Sequence, residues 1–202
     1  MSVRKFSTAS ILSPSYKNSK LWDQTTLPGS FEAIATAVVD SSGASSITFS
    51  NIPSVYKHLQ LRLLARTDRS GYTQDGIKLI FNSDTTANYS NHDIYGSGSA
   101  TGAGALTGGS ATYLRTFAIP AASASASIFG VSIIDILDYT STSKTKTFRA
   151  LTGADQNGSG EIDLSSGNWR TTASAIDTIA ISSINAASWV SGTHAALYGL
   201  RG

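Results

Sequence analysis

The stretch ASIFGVSIIDILDY, residues 126–139, is the longest nearly unbroken apolar run of the chain. Phe129, Val131, Ile133, Leu137 and Tyr139 share one parity, and Ile128, Ile134 and Ile136 share the other. Successive side chains of a strand point to opposite faces. A run apolar on both parities therefore predicts a strand covered on both faces, or one that crosses between sheets. A helix is the competing reading, and Gly130, the β-branched residues and the aromatics count against it. Carboxylates are not buried without partners, so Asp135 and Asp138 mark the wet end of the strand. The other segments are then expected to be strands that cover this one.

The bulk properties fit that reading. A length of 202 residues suits one domain, or one domain with an arm. Only 14% of residues are charged, where soluble domains carry about 25%. Ser, Thr, Ala and Gly fill the difference, which suits short strands and turns over helical bundles. It also suits a surface covered by neighbours, because a free monomer keeps more charge for solubility. The net charge of +2 gives no ground for a nucleic-acid partner. With no cysteine there is no disulfide framework and no thiolate metal site, which fits assembly in a reducing cytoplasm. The opening MSVRKFSTAS lacks the apolar core of a signal peptide. No stretch of about 18 apolar residues exists, so no membrane partner is expected.

Residues 1–27 differ from the rest. Arg4, Lys5, Lys17 and Lys20 all precede the first acid, Asp23, and Phe6, Ile11, Leu12, Tyr16, Leu21 and Trp22 are scattered on a Ser-rich string. Such a segment cannot bury enough apolar surface to order alone. It reads as an extended basic arm that grips a partner, with Arg4, Lys5, Phe6, Tyr16, Lys17, Lys20, Leu21 and Trp22 as the partner-binding candidates. Leu27-Pro28-Gly29 is the boundary turn, and residues 28–202 form the folded domain.

Within that domain, strands are expected at residues 31–40 and 46–50, the latter pairing Ile47 with Phe49 on one face. Residues 56–67 alternate most cleanly, with Leu59, Leu61, Leu63 and Ala65 facing one way and His58, Gln60, Arg62 and Arg66 the other, as in a half-buried antiparallel strand. Residues 76–82 repeat the pattern, and a short strand lies near 92–95. Residues 96–110 (GSGSATGAGALTGGS) read as a long exposed loop because of their glycine content. Further strands are expected at 111–119, 144–151, 175–182 and 194–200, with a hairpin within 152–168. About eight to ten strands at this spacing, without helical crossovers, predict an all-β, two-sheet antiparallel sandwich of jelly-roll type.

No constellation points to catalysis or to a cofactor. Residues 155–163 (DQNGSGEID) place oxygen ligands like a calcium loop, but position twelve is Ser166 and the flanks read as strands, so a polar hairpin is expected. His58, His92 and His194 are far apart and accompany no nucleophile motif. Asp135 and Asp138 are three apart, which on a strand sends them to opposite faces. Trp169, Trp189 and Tyr198 suit core packing or subunit contact better than a sugar platform. Arg62, Arg66 and Arg69 read as a basic strand edge that is either solvated or matched to an acidic partner.

Residues 45–71 (SSITFSNIPSVYKHLQLRLLARTDRSG), preceded by 31–40, resemble the start of a recurrent domain in virion structural proteins of tailed bacteriophages. IKLIFNSDTTANYSNHDIYG (77–96), LDYTSTSKTKTFRALTG (137–153), GNWRTTASAIDTIAI (167–181) and the closing ALYGLRG (196–202) continue in the same order. The resemblance spans roughly residues 31–202 and leaves out the arm. It implies a jelly-roll-like virion component that assembles as a homotrimer, with no catalytic residues to carry over. Two roles follow. One is a capsid decoration (cement) protein on the virion surface, made in the bacterial host cytoplasm, whose partner is the major capsid protein. The alternative is a tail or neck appendage that contacts host glycan through tips near residues 96–110 and 167–169.

Overall fold

The computed structural model describes residues 31–201, and among these the chain forms strands and no helix. Twelve strands follow in order: β1 (Phe31–Val38), β2 (Ser46–Phe49), β3 (His58–Ala65), β4 (Gln74–Phe81), β5 (Tyr89–Gly96), β6 (Thr101–Ala111), β7 (Leu114–Pro120), β8 (Gly130–Leu137), β9 (Lys146–Asp155), β10 (Gly160–Trp169), β11 (Ile179–Ser183) and β12 (His194–Leu200). They build an eight-stranded sheet in the order β1-β12-β3-β8-β9-β10-β5-β6 and a four-stranded sheet in the order β2-β11-β4-β7. Every pairing is antiparallel. This is the two-sheet sandwich that the alternating pattern predicts. The partner-binding candidates Arg4, Lys5, Phe6, Tyr16, Lys17, Lys20, Leu21 and Trp22, and the boundary at 27/28, lie outside the described residues.

The core lies between the sheets. Leu59, Leu61, Leu63 and Ala65 of β3 are buried and meet Ile77, Leu79 and Phe81 of β4 and Ile179 and Ile181 of β11 within one cluster. Each such aliphatic side chain contributes about 1.5–3 kcal/mol on full burial. Trp169 and Trp189 are also core residues, 1% and 0% exposed. The Trp169 indole donates to Asp84 Oδ2 at 2.8 Å and Phe81 packs edge-on to its ring. Arg66 is no edge charge: its guanidinium donates to the carbonyls of Ala122, Ala124, Ser125 and Ile128, clamping the β7–β8 connection. Arg69 lies 3.5 Å over the Tyr72 ring.

The stretch that decided the fold holds β8, fourth of eight strands, and Asp138 sits just past its end beside Lys57 and Lys144. Only one of its faces is covered. Ser132, Ile134 and Ile136 are fully buried, but Val131, Ile133 and Leu137 are 51%, 40% and 43% exposed. The outer side of the large sheet carries no third layer among the described residues.

Residues 96–110 are not a loop. Residues 101–111 form β6, which pairs with β5. The glycines fit there because large β5 side chains lie over them. A Cβ at Gly104 would meet Asp93 Oδ2 at 2.5 Å, and one at Gly102 would run into the Tyr95 ring. A glycine that makes room for a cross-strand neighbour stays in a strand, and the composition alone does not reveal the neighbour. Residues 155–160 do close the expected polar hairpin between β9 and β10, with the Asn157 N–H donating to Asp155 Oδ1 at 2.8 Å.

Candidate binding face

Parity sorts β8, β9, β10 and β5 in an unusual way. On β10, Ile162 and Leu164 face out at 56% and 44% exposure, while Asp163 and Ser165 face in at 0%. On β9, Leu151 faces out and Thr152 in; on β5, Ile94 faces out and Asp93 in. β8 repeats this with Val131 and Ile133 out and Ser132 in. At this end of the sandwich the solvent side is apolar and the interior is polar, the reverse of a free soluble sheet.

The registers assemble these residues into two adjacent rows. Ile133, Leu151, Leu164, Ile94 and Ala103 lie directly abreast across β8, β9, β10, β5 and β6. Val131, Gly153, Ile162, Gly96 and Thr101 form the row beside it. The glycines leave shallow grooves, one of about 660 Å³ lined by Ile94, Tyr95, Leu151, Ile162 and Leu164 among others. Leu64, abreast of Val131, continues the second row, and the seven contiguous side chains, each about half exposed, present an apolar area on the order of 600 Å². A free monomer rarely shows so much in one patch, and one side of a standard protein interface needs about 800 Å².

The interior beneath is bridged by a chain of hydroxyls that leaves Asp163 Oδ2 and the Asn91 amide nitrogen without a partner among the described residues. Ser132 and Thr152 lie 2.6 Å apart, Thr152 and Thr116 2.8 Å apart, and Thr116 and Ser165 donate to Asp163 Oδ1 at 2.7 and 2.6 Å. Arg115 pairs with Asp93 at 2.9 Å. Glu161 beside this cluster has its pKa raised, by burial first and by the Asp163 charge second. These bonds allow apolar residues to leave the interior side and occupy the exterior.

The next row along the same face is polar and internally paired. Gln60 donates to Asp135 Oδ1 at 2.9 Å, and Arg149 meets Asp135 Oδ2 at 2.9 Å. Arg62 donates to Gln60 and lies 5.2 Å from the Phe31 ring centroid and 5.3 Å from that of Tyr198. The face is thus divided into an apolar half and a polar half in which Arg149 balances Asp135, and Arg62, abreast of Ile133, ends the first apolar row on β3.

The other sequence candidates do not converge. His58 accepts from the Asp138 N–H at 3.0 Å, His92 is exposed on β5, and His194 lies on β12. Asp138 binds Lys144 and Lys57, which hold its carboxyl down to about 2. Lys146 shares the inward parity of Phe148: it is fully buried, donates to the Thr171 and Ser174 carbonyls, and its pKa is lowered by desolvation. Among the described residues no group of three or more His, Cys, Asp or Glu could hold a metal ion.

No family model matches the chain, and no curated protein or solved structure is significantly similar to it.

Proposed function

We propose that the protein is a non-enzymatic virion structural protein, a capsid decoration protein that staples neighbouring subunits of the outer shell as a homotrimer. The observation that carries this reading is the apolar-out, polar-in end of the eight-stranded sheet. A domain that moves its apolar residues outward and builds a hydroxyl network to fill the space inside is made to be covered. Apolar burial is the driving term of such adhesion, and anything that binds the assembled state stabilises it by mass action.

The shape of the patch favours a protein cover over a lipid one. Two rows extend about 10 Å along the strands, while a membrane barrel presents an apolar band roughly 25 Å tall. The phrase-by-phrase resemblance to tailed-phage virion proteins, with its jelly-roll-like winding, supplies the partner: the major capsid protein. The arm at residues 1–27 supplies a second grip. The appendage reading has less to draw on. Trp169 is in the core, and residues 101–110 belong to a strand, which leaves the turn at residues 97–100 as the exposed part of those tips.

Copy number on the particle tests the reading. Hundreds of copies per virion support a shell position, and a dozen or so refute it. Deleting residues 1–27 should leave a folded sandwich that no longer joins the particle, and normal occupancy by the truncated protein would remove the arm from the account.

A further inference from the structure

Strand edges expose unpaired N–H and C=O groups, and folded proteins guard them with shortness, charge, proline or bulges. Three of the four edges here are guarded. β2 has four residues. β7 ends in Pro120 and carries Arg115, paired with Asp93. β1 is bent by a register shift between Ala33 and Ala35 and flanked by the Glu32–Arg201 pair at 3.4 Å. β6 differs: over residues 101–106 it has no charge, no proline and a regular ladder, and its irregularity is confined to the far end.

The hydrogen-bond phase of β6 follows from its turn. The Ser97 N–H donates to the Ala100 carbonyl at 2.9 Å. Bonded and non-bonded pairs alternate along an antiparallel ladder. Counting from that pair, Tyr95–Gly102 and Asp93–Gly104 exchange hydrogen bonds. The N–H and C=O of Thr101, Ala103 and Ala105 therefore point away from β5, and these three residues are exposed.

We propose that β6 is a self-pairing edge. A second copy of the chain adds its own β6, antiparallel, about a two-fold axis centred on Ala103, so that two eight-stranded sheets become one. In this register Ala103 opposes its own copy and Thr101 opposes Ala105. All these side chains are small and uncharged, so the two copies meet without steric conflict or like-charge cost. Ile94 lies beside Ala103 in the outer row. The apolar row therefore runs unbroken across the axis, which a foreign strand of alternating charge would interrupt. Such an isologous contact closes on itself as a dimer of the free protein, a different contact from the three-fold one proposed for the particle. It leaves the apolar face open and does not depend on what that face touches.

The chain has no cysteine, so Ala103→Cys carries the sole thiol. The two-fold places the two thiols on one face with Cα atoms about 5.5 Å apart, within disulfide range. Under mild oxidation Ala103→Cys should form covalent dimers about tenfold faster than Val55→Cys, whose site is exposed but far along the chain from β6. Ala103→Pro removes an outward N–H while keeping the β5 ladder, and should convert dimer to monomer in sedimentation with the circular dichroism unchanged. Equal crosslinking of the two cysteine variants would overturn the proposal. So would a dimer that survives Ala103→Pro, or a parent protein that stays monomeric at the highest attainable concentration.

Discussion

Leu151 and Leu164 face each other across β9 and β10 and are 48% and 44% exposed, so about half of each side chain remains in water. Full burial of a leucine is worth about 1.5–3 kcal/mol, so covering the open half adds about 1 kcal/mol per residue. The double variant Leu151→Ser/Leu164→Ser should then lose about 2 kcal/mol of binding, roughly 30-fold in affinity at ~1.4 kcal/mol per factor of ten. The half already packed costs the fold a similar ~2 kcal/mol, which a domain with a typical 5–15 kcal/mol survives. Ile134→Ser, one strand over but facing inward at 0% exposure, should cost the fold about 3–5 kcal/mol. Urea midpoints report the fold, and rebinding to particles stripped of the protein, read by co-sedimentation, reports the adhesion. The reasoning fails if the folded double variant rebinds within about threefold of the parent.

Three further outcomes follow from the fold. Burial alone would raise the pKa of Asp84, but hydrogen bonds from Thr86, Asn88 and Trp169 outweigh it and hold the carboxyl well below its ordinary 3.8. Its stabilisation is complete above that unfolded value and is lost as pH falls through the folded one, so Asp84→Asn should be less stable at pH 7 yet lose less than the parent between pH 4 and pH 2, measured by urea midpoints. Arg66→Lys cannot reach all four carbonyls and should lower stability by about 2 kcal/mol, seen as a lower melting temperature with an unchanged spectrum. Ala186 is exposed at a φ of 59°, so Ala186→Gly should gain about 0.5 kcal/mol, the relief of left-handed strain exceeding the entropy that glycine adds to the unfolded chain.

The sandwich was legible because its inward residues obey a period of two. Leu59, Leu61 and Leu63, and Ile77, Leu79 and Phe81, declare their faces without any knowledge of their partners. The candidate face was not legible for the same reason. Ile162, Leu164 and Leu151 obey the same period, but their apolar parity is the outer one, and a strand alone does not say which side is the core. A signal was present in Asp163 and Ser165 between and beside them: polar residues on the parity that the sheet turns inward. β6 was hidden differently. Its glycines read as flexibility, and the Tyr95 and Asp93 side chains that fill the space above them are known only once β5 and β6 are paired. Charge alone would send Lys146 to the wet side of its strand, but two carbonyls and the Trp169 ring accommodate it within.

Side-chain footprinting of the free protein and of the assembled particle tests the adhesive role of the outer face most directly. Carbene labelling should fall at Val131, Ile133, Leu151, Ile162, Leu164 and Ile94 on assembly, while Val55 and Tyr72, exposed elsewhere, keep their labelling. Equal labelling of the six in both states would contradict the account.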